Sequence, residues 1–141
     1  KEGVGRSSED AVLNANYLRY HLQSSYNIPH SKGCLHEFVV SATRQAEYDV
    51  QAVDLAKALI DHGIHPPTVY FPSIVKESMM VEPTETESKE TLDRFIQVMK
   101  ELAEKAEKDP ESFHDMPKNT PVSRPDETKA AREPDLAYSA G

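Results

Sequence analysis

The chemistry this chain can offer rests on a short set of side chains: His36 beside Glu37, His65 ahead of Pro66 and Pro67, Arg44, and the run Glu82-Pro83-Thr84-Glu85-Thr86-Glu87. Imidazole is the side chain whose charge changes nearest neutral pH, so His36 or His65 could move a proton or orient a substrate. Two prolines after His65 stiffen its loop and hold the ring in one direction. His36 and Glu37 fall in an apolar run that reads as a strand, where neighbouring side chains point to opposite faces. The pair can serve one site only if a bulge intervenes. His36 therefore has two open readings, lining the mouth of a site or sitting as a structural histidine beside Cys34. The hydroxyls and carboxylates of Thr84, Glu85, Thr86 and Glu87 could face a substrate channel. They also suit a helix start: Thr84 and Glu87 have capping-box spacing, Ser88 is a rival cap, and the carboxylates favour the positive end of the helix dipole. His36, His62 and His65 are not at a metal-binding spacing and no carboxylate completes a set, so no metal site is expected.

The elements that must position these groups follow from periodicity. A helix is predicted from about Glu9, after a flexible stretch over residues 1–8, with Ala11, Ala15, Leu18 and Leu22 at helical spacing. Leu13, Tyr17 and Tyr20 widen the apolar face, which is expected to pack against a sheet. Asn14 and Asn16 are poor residues for its interior. Tyr26 to Ile28 reads as the start of a short strand that Pro29 interrupts, and Leu35 to Ser41 reads as a central one. Asp49 can cap a helix with Val53, Ala56, Leu59 and Ile60 on one face, which closes at Gly63 in a left-handed turn. Thr68 to Phe71 and Ser78 to Glu82 read as two strands of a hairpin turning around Ser73 to Glu77. Leu92, Phe95, Ile96, Met99, Leu102, Ala103 and Ala106 mark the clearest helix, ending at Lys108 to Pro110. The tail over 109–141 holds half of the chain's ten prolines and little apolar material. It is expected to be disordered or to drape over a domain or subunit outside this chain. The sum is an α+β domain over 9–108, a small two-layer unit with a mainly antiparallel sheet backed by helices.

Composition narrows the partners. The chain has 141 residues, 38% of them hydrophobic, enough for one modest core. A net charge of −8 without any basic stripe argues against nucleic acid. The single Cys34 excludes an internal disulfide and a cysteine-based zinc site, and suits a reducing compartment. No apolar run is long enough to span a membrane and KEGVGRSSED is not a signal peptide, so the chain is read as cytoplasmic with no membrane partner.

Longer blocks carry a resemblance. HPPTVYFP (His65 to Pro72), MVEPTETESKETLDRF (Met80 to Phe95), CLHEFVVSA (Cys34 to Ala42), NANYL (Asn14 to Leu18) and TPVSRPDETKAAR (Thr120 to Arg132) together resemble the carboxy-terminal region of the glycine decarboxylases, the pyridoxal-phosphate P proteins of the glycine cleavage system. Subunit 2 of the split bacterial enzyme is the nearest form. The resemblance implies a fold-type-I small domain and a larger cofactor domain preceding it, with lipoylated H protein as a partner. The whole enzyme would release carbon dioxide from glycine and pass the aminomethyl group to the lipoyl arm. Such enzymes hold the cofactor through a lysine, and none here has a convincing setting: Lys57, Lys89, Lys100, Lys105 and Lys108 sit on outer helix faces. The chain alone is therefore expected to bind no cofactor and to catalyse nothing, with His36, His65, Thr84, Glu85 and Thr86 lining a channel. Arg44 is a candidate to grip a substrate carboxylate, as small-domain arginines do in many fold-type-I enzymes. A decarboxylase must lose that carboxylate, and pairing with Glu47 or Asp49 is the alternative. Two rivals remain: the small domain of another fold-type-I enzyme such as an aminotransferase, and a free-standing α+β binding module.

Overall fold

The computed structural model describes residues 2–137. Helix α1 (Glu2–Leu22) leads into β1 (Phe38–Ser41), followed by the short α2 (Thr43–Ala46), α3 (Ala52–Asp61), β2 (Thr68–Val69), β3 (Ser78–Val81), α4 (Lys89–Lys108), one turn of 3-10 helix (Pro110–Phe113) and α5 (Glu127–Arg132). The sheet is antiparallel throughout, in the order β1-β3-β2, with Phe38 opposite Val81 and Thr68 opposite Met80. This is the α+β architecture expected, with helices packed against one small sheet.

The core forms where the periodicities meet. Leu18 and Leu22 of α1, Leu55 and Leu59 of α3, and Ile96, Met99 and Leu102 of α4 are buried against Val40 and Met79 of the sheet. Tyr26 is fully buried and donates its phenol to the Met99 carbonyl at 2.8 Å, while burial pushes its pKa upward.

Several boundaries move for identifiable reasons. α1 starts at Glu2 rather than near Glu9. β1 is shorter than the apolar run: residues 35 and 36 form a bend, and Leu35 is exposed. Tyr26 lies outside the sheet, and only its neighbour Asn27 forms a bridge, to Ser41. β2 stops at Val69, where Tyr70 leaves the extended range for φ 59° although its amide still donates to the Ser78 carbonyl at 2.8 Å. β3 likewise stops at Val81, one residue short of Glu82. Asp49 does not cap α3, since it sits at φ 65° ahead of the helix; Gln51 and Asp54 form the capping box instead. At the other end Gly63 takes φ 69° as expected. Its amide bonds to Ile60 and that of Ile64 to Leu59, which closes the helix in a Schellman arrangement.

Nor does the core end at Lys108. Phe113 is fully buried and Met116 nearly so, and the chain beyond them crosses α3 as a strap over residues 110–124. The Asp61 carboxylate accepts the backbone amides of Lys118 and Asn119 at 2.7–2.8 Å. Arg124 closes the strap with Nη2 2.7 Å from the buried Asp54 carboxylate, and donates to the carbonyls of Phe113 and Met116.

Candidate functional site

One groove of about 570 Å³ opens where α3 gives way to β2 and where β3 gives way to α4. Its first wall is the Gly63-to-Thr68 loop carrying His65, and its second runs from Met80 through Glu82 and Pro83 to Thr84. Leu18 of α1, with Leu92 and Phe95 of α4, adds apolar surface, and Thr91, Arg94 and Glu87 add polar groups. An apolar base with a few convergent polar groups is the usual character of a ligand site.

Local chemistry fixes both walls. The glycine turn and Pro66-Pro67 set the direction of the first, and Arg94 Nη2 donates to the His62 carbonyl at 2.7 Å, tying it to α4. The second is held from α1, where Asn14 Nδ2 donates to the Thr84 carbonyl at 2.9 Å. Neither asparagine is idle in the helix: Asn16 clamps Cys34, donating to its carbonyl at 2.7 Å and accepting from its amide at 3.2 Å. Ser88, not Thr84, caps α4 by accepting the Thr91 amide at 3.2 Å. The Thr84 and Thr86 hydroxyls pair with each other at 2.7 Å instead.

The groove thus gathers His65 and Thr84 from the predicted set, together with Glu82 and Glu87. Glu85 and Thr86 stay on the exposed turn beyond it. His36 stands at the rim: the bend before β1 undoes the alternation expected of a strand, so His36, Glu37 and Glu82 converge with ligand atoms within 4.8 Å of one another. His36 Nε2 lies 3.8 Å from Glu82 Oε1, and all three residues are exposed. Arg44 is placed elsewhere, donating to the Ser24 carbonyl at 2.8 Å, and does not line the groove. Cys34 is half-buried, and burial raises its thiol pKa while Arg19 partly offsets the rise. Arg94 and Thr91 are lining residues that sequence reasoning did not single out. The apolar stripe of α4 points to Phe95, but the reach of Arg94 to His62 has no local signal.

The fold and groove define a small α+β domain with an open site on one side. A family model described as "Glycine dehydrogenase, C-terminal domain" matches residues 7–125, and the chain belongs to this family. The proteins named probable glycine dehydrogenase (decarboxylating) subunit 2 of Shouchella clausii and Bacillus velezensis are each 53% identical to it over 137 residues, and that of Listeria monocytogenes is 54% identical. Each alignment covers 97% of this chain and 28% of the relative, so the chain spans little more than a quarter of the length of the curated relatives it matches. No helix among the described residues is long and apolar enough to cross a membrane.

Proposed function

We propose that this chain is the carboxy-terminal domain of a pyridoxal-phosphate-dependent glycine decarboxylase, the P protein of a glycine cleavage system, and that its groove walls one side of the active-site channel. The parent enzyme releases carbon dioxide from glycine and transfers the aminomethyl group to the lipoyl arm of H protein. The observation that carries this reading is the coincidence of the groove with the blocks of resemblance: residues 65–68 and 80–84 are both its walls and parts of those blocks.

The groove does not itself fit pyridoxal phosphate. Among the described residues no lysine lines it, two carboxylates, Glu82 and Glu87, face it, and no glycine-rich turn is placed to receive a phosphate. The rest of the polypeptide is where the cofactor belongs, and bound there it acts as the electron sink for decarboxylation. This domain's share is positional. Leu18, Leu92 and Phe95 offer the apolar base that an aliphatic arm needs, while His65 and Thr84 present polar groups at its edge.

The test uses the parent polypeptide. Active enzyme exchanges the glycine carboxyl with bicarbonate, and absence of that exchange in a folded parent overturns the reading. Thr84→Trp, which narrows the groove, should raise the KM for lipoylated H protein about tenfold while leaving the KM for glycine unchanged.

A further inference from the structure

We propose that the outer face of α1 bearing Leu13 and Tyr20, together with Leu35, is the surface on which the rest of the parent polypeptide packs. This inference rests on the reading of the chain as one domain of a longer enzyme. Leu13, Tyr20 and Leu35 are 67%, 63% and 72% exposed. Leu13 and Tyr20 are two helical turns apart on one face, and Asn16 lies between them at i+3 and i−4. The two hydrogen bonds from Asn16 to the Cys34 backbone clamp the following loop onto this face, and Arg19 Nη1 adds a third by donating to the Ser31 carbonyl at 2.8 Å. Leu35 is therefore held in place with its side chain in water. An apolar group fixed by polar clamps and left uncovered marks an interaction surface.

The occupant follows from size and position. The alignments leave nearly three-quarters of each relative outside this chain, and that mass needs an interface of domain-docking size. The outer side of α3 is already covered by the strap, through Asp54 and Asp61. The same helix reaches the groove by another face, where Asn14 holds Thr84 and Leu18 lines the site, and His36, next to Leu35, stands close to Glu82 of the groove wall. Phe71 and Ile74, exposed at the tip after β2, line no part of the groove.

Hydroxyl-radical footprinting of the folded parent polypeptide tests this, with each labelling rate divided into that of the same residue in the urea-unfolded parent. If the face is covered, Tyr20 and Leu35 are protected more than about fivefold, as interface-core residues are. Exposures of 63% and 72% give less than about twofold, and any value below fivefold overturns the inference. Glycine carboxyl exchange is measured on the same preparation. Protection without exchange keeps the docking face and removes the proposed activity; exchange without protection does the reverse.

Discussion

The strap crosses α3 and the groove opens past the C-terminal end of that helix, and they differ in what their polar groups are bonded to. The α3 carboxylates that anchor the strap are fully engaged. Asp54 receives the Gln51 amide on one oxygen and Arg124 on the other, and Asp61 receives two strap amides. In the groove Glu82 has only the distant His36 at 3.8 Å. A buried carboxylate with strong donors is committed to holding the fold, whereas an exposed one near a cavity is free to meet a ligand. Residue type does not separate the two regions; the partners do.

That contrast can be broken by measurement. The largest effect is expected from Phe113→Ala, which empties a fully buried site under the strap and should cost about 3–5 kcal/mol in urea unfolding. A loss below 1 kcal/mol would mean that the strap is not part of the cooperative core. Arg124→Ala leaves Asp54 buried without its cation. Because Arg124 itself is one-third exposed, the expected cost is about 2 kcal/mol, less than for a fully buried pair. A double-mutant cycle with Asp54→Asn should return a coupling of about 1–2 kcal/mol. On the groove side, Glu82→Gln should change stability by no more than about 0.5 kcal/mol. If it costs as much as Arg124→Ala, the distinction between the two regions fails.

How far the sequence reveals these regions also differs between them. The glycine-proline turn, the apolar stripe of α4 and the paired strands are set by local rules, and the structure keeps them. The strap was hidden because its anchors are long-range: Asp61 and Lys118 are far apart in the chain, and a proline-rich polar segment with one phenylalanine offers no periodicity. His36 and Glu37 were misplaced for a related reason. Alternation along an apolar run assumes a continuous ladder, and with the bend at residues 35 and 36 that ladder starts at Phe38, three residues later than expected. Thr84 and Ser88 were indistinguishable as caps, because either hydroxyl satisfies the local pattern and only the path of the preceding chain chooses between them.

The smallest expected effect concerns a link that joins α1 to the first turn of α4, the part of α4 that supplies Thr91 and Leu92 to the groove. Tyr17 Oη and Lys89 Nζ each donate to Asp93 at 2.6 Å, and the Lys89 ammonium lies 5.4 Å from the Tyr17 ring centroid. Lys89 chiefly, and Tyr17 after it, hold the Asp93 carboxyl below the usual carboxylate range. A folded-state pKa lowered in this way contributes stability that is fully present above the unfolded value, about 4, and is lost as pH falls through the folded value. The groups are exposed, so the contribution is small and screened by salt. The difference in urea midpoint between the native chain and Asp93→Asn should therefore be measurable at pH 6, shrink toward pH 2, and shrink at pH 6 in high salt. A difference that holds constant across both changes would show that Asp93 acts through packing alone, and that this wall of the groove is set by structure rather than by charge.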